Sequence, residues 1–247
     1  LDFSAFELSV SYDDYHCDAL ESRVTWICKE CRDCGHLDFN SVIDMERLIA
    51  ATTEHYDSDY HYLVGDARTF AVKAHGDQRY GDLPYVAHLD KTAEEMIRIV
   101  AEEPLLQPAK LILIQAAYLH DVLEDTTFAL DDFSEDVVAL VKAVTDEPGK
   151  NRKERKSKTY PKIFSFGIHA TAVKLADRIA NVLSSRYNDQ RLFKMYKDEF
   201  EEFEKALRVP GELDKAWLTL VHAFGYRYFD YVLPTLEGLL AHLQKKA

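Results

Sequence analysis

From about residue 65 onward, apolar positions recur at helical spacing almost without interruption, whereas residues 1–60 are irregular and rich in acids. The pattern predicts a helix capped by Asp66 and running through Ala74, and another over Ala87 to Ala101 that ends before Pro104. Pro108 suits the first turn of a helix reaching Leu123. Asp131 or Asp132 should open the next, through VVALVKAV. Long amphipathic helices follow over Ile168 to Arg186 and Gln190 to Leu207, then Leu213 to Phe224 and Tyr231 to Gln244. Before residue 60 only Met45 to Ala51 reads as a short helix, and FELSVSY alternates like a strand. No Asn-Gly hairpin signal occurs. The expectation is an all-α helical bundle over residues 61–247, preceded by a short irregular N-terminal extension over residues 1–60.

Composition changes this picture little. Of the 247 residues, 47% are hydrophobic, enough for a sizeable core in one domain. The formal charge of −13 argues against nucleic acid as a partner, because phosphate backbones attract Lys and Arg. It leaves room for a small phosphorylated ligand held by a local basic patch. No apolar run approaches the roughly 18 residues that span a bilayer. Residues 1–20 lack the basic start of a signal peptide, so the expected compartment is the cytoplasm.

Three places carry candidate chemistry. In WICKECRDCGH, Cys28, Cys31, Cys34 and His36 have spacing that lets a tight turn bring thiolates to one metal. Incidental reduced thiols are one reading, structural zinc a second, and a redox or cluster role a third. In AAYLHDVLEDT, an apolar helix turns at once to His120, Asp121, Glu124 and Asp125. An imidazole beside a carboxylate suits a divalent metal, although such a pair alone is equally a cap or a surface feature. Other helices offer matching ligands: His88 at the start of one, and Asp177 among Val173, Leu175 and Ala176 in another. A carboxylate in such apolar company is costly unless paired, exposed or metal-bound. Bundle-core metal sites are assembled in this way from facing helices. Third, EPGKNRKERKSKTYPKI concentrates seven basic residues in an acidic chain. It reads either as a solvated face or as a polyphosphate clamp, with Arg152 and Lys156 the preferred members and Lys174 and Arg178 nearby.

The strings PYVAH, AAYLHDVLEDT, AVTD and VKLADRIAN, in that order, resemble the HD-domain hydrolases of the RelA/SpoT type, and more narrowly the small stand-alone alarmone hydrolases. The resemblance covers about residues 65–205 and is more specific than a bare His-Asp signature. It implies that His88, His120, Asp121 and Asp177 hold one divalent metal, usually manganese. Glu124 and Asp125 match the acidic pair beside the attacking water, and Asn181 matches a residue near the nucleotide sugar. The implied reaction removes pyrophosphate from the 3′ position of guanosine tetra- or pentaphosphate. No synthetase domain fits in the remaining length, so degradation rather than synthesis is expected.

One loop departs from the family. Alarmone hydrolases carry an Arg-Lys pair that packs around guanine, and HGDQRYGDLPYVAH keeps Arg79 but places Tyr80 where the Lys would stand. Tyr80 can stack on a base, so base recognition stays with Arg79 and Tyr80 as the expectation. His75 reads as structural, orienting the loop, and Gly81 and Pro84 as turn formers. The departure keeps a second reading open, an HD phosphohydrolase for another phosphorylated nucleotide. A third is a non-catalytic HD binding or regulatory module.

Overall fold

A computed structural model describes residues 58–226. In chain order the helices are α1 (Ser58–His75), α2 (Val86–Glu102), α3 (Lys110–Leu119), α4 (Val122–Asp125) and α5 (Glu135–Val144), then α6 (Arg152–Phe166), α7 (Ile168–Asn188), α8 (Gln190–Asp198), α9 (Phe200–Leu207) and α10 (Asp214–Ala223). A 3-10 turn over Pro104–Ala109 joins α2 to α3. The fold is all-α, as the periodicity predicts. Of the extension expected over residues 1–60, residues 1–57 lie outside the described residues and the rest belong to α1; the helices expected over Met45 to Ala51 and Tyr231 to Gln244 also lie outside them. Among the described residues no helix is long and apolar enough to cross a membrane.

The core forms around α3. Every residue from Leu113 to Leu119 is buried, which its sequence LILIQAAYL requires, since it is apolar on all sides. Helices α1, α2, α5 and α7 surround it. Helix α7 is the second axis: Ala170 through Ala180 is buried without a break, between α2 on one side and α5, α6 and α10 on others. Small residues such as Ala172, Ala176 and Ala180 let these neighbours approach closely. Truncating Leu119 or Leu175, both fully buried, to Ala would cost about 2–5 kcal/mol.

Several boundaries differ from the sequence expectation, each for a local reason. Helix α1 starts at Ser58, so Asp66 is an exposed residue within it and not its cap. Pro108 sits in the 3-10 turn, and regular hydrogen bonding starts only at Lys110. Ser134, not Asp131 or Asp132, caps α5 by accepting from the Val137 amide. The span predicted over Gln190 to Leu207 breaks at Glu199. A two-residue antiparallel ladder, Arg79–Tyr80 with Leu83–Pro84, closes a small hairpin ahead of α2. Its turn needs no Asn-Gly because Gly81 takes φ of +60°. Gly167, at φ +100°, is the single residue between α6 and α7, and its conformation lets two long helices meet at a sharp corner.

Candidate metal centre

The helix carrying His120 does not continue to Asp125. Helix α3 ends at Leu119, His120 and Asp121 form a turn, and the short α4 begins at Val122. The single predicted span is therefore interrupted at its first titratable residue. The interruption has a purpose in the site: His120 Nδ1 lies 2.8 Å from the Ala117 carbonyl and donates to it, which leaves Nε2 with its lone pair directed away from α3.

That lone pair meets three others. His88 Nε2, from the first turn of α2, lies 3.2 Å from His120 Nε2. Asp121 Oδ2 is 3.0 Å from His120 Nε2 and 3.4 Å from His88 Nε2. Asp177 Oδ1, from the middle of α7, is 3.6 Å and 3.5 Å from the same two nitrogens. Around a first-row divalent ion bonded at about 2.1 Å, neighbouring donor atoms sit about 3.0–3.4 Å apart. Two imidazoles and two carboxylates are a donor set for such an ion. The two imidazoles can share at most one N–H···N bond through these nitrogens, and His88 Nδ1 is buried with no hydrogen-bond partner. His88, His120 and Asp177 are placed to hold a metal ion, with Asp121 beside them.

The charges of the cluster bear the same mark. Burial alone would lower the His120 pKa, but Asp121 and then Asp177 raise it well above the ordinary value. Burial alone would raise Asp121, yet His120 and His88 hold it well below the carboxylate range. Asp177 is likewise opposed by burial and pulled far down, first by Lys174 and then by His120. These are carboxylates held ionised, ready for a cation.

An outer ring of side chains fixes the four. Tyr85 donates to Asp121 Oδ2 at 2.5 Å. Lys174 Nζ stands 3.0 Å from Asp177 Oδ2, while Asn181 Nδ2 donates to Asp177 Oδ1 at 2.5 Å. Tyr80 donates in turn to Asn181 Oδ1 at 3.1 Å, and its ring stacks on His88 with centroids 4.9 Å apart. Tyr80 is thus engaged with His88 and, through Asn181, with Asp177, and neither it nor Arg79 lines the cavity. Arg79 donates back to the carbonyl of Asp82. The base-stacking expectation for Tyr80 meets a physical obstacle: one face of its ring is already covered by His88. His75 stacks on Tyr85 at 4.3 Å and is hydrogen-bonded to Gln78 at 2.8 Å.

The cluster opens into a cavity of about 590 Å³. Glu124 and Asp125 both line it. Glu124 Oε1 accepts the Asp146 amide at 2.6 Å; burial raises its pKa against Lys174, and Asp121 and Asp146 add to the rise. Asp125 Oδ2 accepts from Gln78 at 2.8 Å. The opposite wall comes from α6. Asn151 caps α6 by accepting from the Glu154 amide, so Arg152 and Lys156 fall one turn apart on the inward face, while Lys153 and Lys158 point to solvent. The basic run is therefore divided: part is solvated face and part is cavity wall. Inward cations are paired. Lys156 Nζ lies 2.7 and 3.0 Å from the Asp146 carboxylate, and Arg152 forks Glu199 at 2.6 and 3.0 Å. Burial, with Lys174 next, lowers the Lys156 pKa to about 8 despite Asp146.

Sequence reasoning did not reach Tyr85, Asp146, Tyr196 or Glu199 as parts of the site. Tyr85 and Asp146 sit inside the quoted strings PYVAH and AVTD, where they were available to be read. Tyr196 and Glu199 carry no local signal, since only tertiary packing brings α8 and its end to the cavity. Cys28, Cys31, Cys34 and His36 lie outside the described residues.

Known proteins resemble this chain as follows. A guanosine-3′,5′-bis(diphosphate) 3′-pyrophosphohydrolase, MESH1, of Drosophila melanogaster is 31% identical over 126 residues, 48% of this chain and 67% of that protein. The Homo sapiens MESH1 is 34% identical over 124 residues, 47% of this chain and 66% of that protein. A probable enzyme of the same name from Synechocystis is 28% identical over 72% of this chain but only 25% of its own length. A solved structure, described as a metazoan ortholog of SpoT that hydrolyses ppGpp, superposes with a TM-score of 0.56 at 26% identity, covering 70% of this chain and 97% of that one. No family model matches the chain.

Proposed function

The chain belongs to the HD-type alarmone hydrolases, and from that premise we propose that it hydrolyses guanosine tetra- and pentaphosphate at the 3′ position, giving GDP or GTP and pyrophosphate. The observation that carries the reading is the approach of the Asp121 and Asp177 carboxylates to the paired His88 and His120 Nε2 atoms, at 3.0–3.6 Å, beside a cavity whose other wall is cationic. These four residues would hold one divalent ion, manganese by the family resemblance. That ion, when bound, supplies Lewis acidity at the attacked phosphate and lowers the pKa of a coordinated water.

The remaining chemistry falls to side chains. Glu124 is the favoured base. One of its oxygens is fixed by the Asp146 amide, and burial keeps its pKa raised, toward the range where a carboxylate accepts a proton effectively. The attacking water gives its proton to Glu124, its oxygen bonds to the phosphorus next to O3′, and the bond from that phosphorus to O3′ breaks. The proton then passes to O3′, which balances the reaction. Asp125, braced by Gln78, orients the water. Lys174 is held firmly charged: burial opposes it, but Asp177, Glu124 and further carboxylates raise its pKa far above the ordinary value. It would neutralise a phosphoryl oxygen, and Arg152 and Lys156 would do so farther out. Asn181, tied to Asp177 and Tyr80, would face the sugar.

The loop geometry favours a second reading. Arg79 and Tyr80 do not line the cavity, so guanine lacks the partners the family offers it, and another phosphorylated nucleotide is the alternative substrate. In either case residues 61–247 form the catalytic domain, the partner is a small phosphorylated nucleotide, and the setting is the cytoplasm. Turnover of guanosine tetraphosphate by protein stripped with a chelator and then reloaded with manganese tests the proposal. Activity lost on stripping and regained on reloading is expected; a metal-independent rate would contradict it. Elemental analysis of the same sample tests zinc at Cys28, Cys31, Cys34 and His36, with one equivalent expected if the thiols bind it.

A further inference from the structure

Most cations on the cavity wall have a carboxylate within hydrogen-bonding distance. Lys156 has Asp146, Arg152 has Glu199, and Lys174 has Asp177. Arg178 is different. It follows Asp177 on α7 and is only 2% exposed. Its Nη2 donates to the Tyr160 hydroxyl at 3.3 Å, but its Nη1 makes no hydrogen bond. The nearest carboxylate oxygen, Glu199 Oε2, stands 3.6 Å from Nη1. Leaving a buried charged donor unsatisfied is costly. The guanidinium cannot swing away to find a partner, because it lies over the rings of Tyr196 at 4.8 Å and Phe203 at 4.4 Å. A partner has to come to it.

Glu199 sits where α8 gives way to α9, and its side chain is 26% exposed. Its oxygens lie 2.6 and 3.0 Å from Arg152 but reach Arg178 Nη1 only at 3.6 Å, so it serves Arg178 poorly. A phosphoryl group has the same complementarity to guanidinium, with more charge and a third oxygen. It can satisfy Arg152 and reach Arg178 Nη1 together, which one carboxylate does not do here.

We propose that Arg152 and Arg178 form a second phosphate subsite, taking a phosphoryl group other than the one attacked at the metal centre, and that Glu199 is a placeholder displaced by that group. The proposal rests on reading the cavity as the site of a polyphosphorylated nucleotide. Glu199 keeps the paired guanidiniums apart from solvent anions until such a ligand arrives, and it makes binding selective. A ligand with one phosphate gains too little at the subsite to displace the carboxylate. One with several phosphates spans both subsites.

The test is calorimetric titration of inorganic pyrophosphate into the manganese-loaded protein. If Glu199 competes for the subsite, apparent affinity is reduced by the fraction of time the site is open. Glu199→Gln removes the competing charge and is expected to bind pyrophosphate about tenfold tighter; Glu199→Asp, which keeps it, stays within about twofold of the parent. A merely bracing Glu199 would give the opposite: unchanged or weaker binding by Glu199→Gln at equal thermal stability overturns the proposal. A structure of the parent protein with pyrophosphate decides independently of any variant. Phosphate oxygens on Arg178 Nη1 with Glu199 turned outward support the subsite, and Glu199 still forked to Arg152 overturns it. Failure of the alarmone reading shows separately: no turnover of guanosine tetraphosphate, with Glu199→Gln still tightening pyrophosphate, leaves the subsite standing.

Discussion

At one end of the cavity, Asp121 and Asp177 each bring a carboxylate oxygen within 3.0–3.6 Å of the His88 and His120 Nε2 atoms, which are 3.2 Å apart. On the other wall, Arg152 and Lys156 rest against Glu199 and Asp146. The first wall is electrostatically incomplete without a ligand, whereas Arg152 and Lys156 on the second are already paired without one. A preorganised donor cluster costs little to fill, because its reorganisation has already taken place in folding. A wall of ion pairs must be opened before it binds, so its binding strength is a difference between two similar interactions. Substitutions on the two walls should therefore differ in kind as well as in size.

The largest effect is expected at the metal wall. Asp121→Ala removes a donor and leaves His120 and His88 with Asp177 alone of the two carboxylates, so manganese affinity and turnover should both fall by about a thousandfold or more, measured by metal titration and by steady-state rate. Turnover close to the parent rate would break the comparison at its root. Next comes Glu124→Gln, which should keep the metal but lower kcat about a hundred- to a thousandfold. Retained metal with an unchanged kcat would remove Glu124 from the chemistry and point to Asp125.

On the cation wall the effects should be smaller and appear in KM. Arg152→Ala is expected to raise KM for a polyphosphate about tenfold with kcat nearly unchanged. A loss of thermal stability with KM unmoved would make Arg152 a brace between α6 and the start of α9. Lys156 supplies a pH signature. Its pKa is lowered to about 8, so its positive charge is present below that pH and lost above it. If that charge binds phosphate, kcat/KM should decline above about pH 8, and Lys156→Arg should move the decline to higher pH. An identical profile in the two proteins would assign the limb elsewhere. The smallest effect is expected from Tyr80→Phe. It removes the hydroxyl that steadies Asn181 and through it Asp177, and should weaken manganese binding only a few-fold.

The same contrast explains what could be read from the chain. His120-Asp121 and Asp177 stand out because they interrupt apolar helices that the fold must bury, so the metal wall is written in the local pattern. The helices α2, α3 and α7 that carry it follow from periodicity for the same reason. The break after Leu119 is not visible, since LHDVLED keeps good helical spacing while the backbone turns to satisfy His120 Nδ1 with the Ala117 carbonyl. The cation wall was legible as charge but not as pairing. Whether Lys156 meets a phosphate or Asp146 depends on how α6 packs, and Glu199 enters only because α8 stops nine residues after it starts. Tyr80 shows the limit from the other side: an aromatic in a substrate loop suggests stacking on a base, and packing gave that face to His88.

Hydrolysis of guanosine tetraphosphate by the manganese-loaded protein in 18O-labelled water, followed by phosphorus NMR, tests the central claim most directly. The account predicts GDP and pyrophosphate as products, with the label in the pyrophosphate. Release of orthophosphate, label in the nucleoside product, or an intact substrate beside fully loaded protein would contradict it.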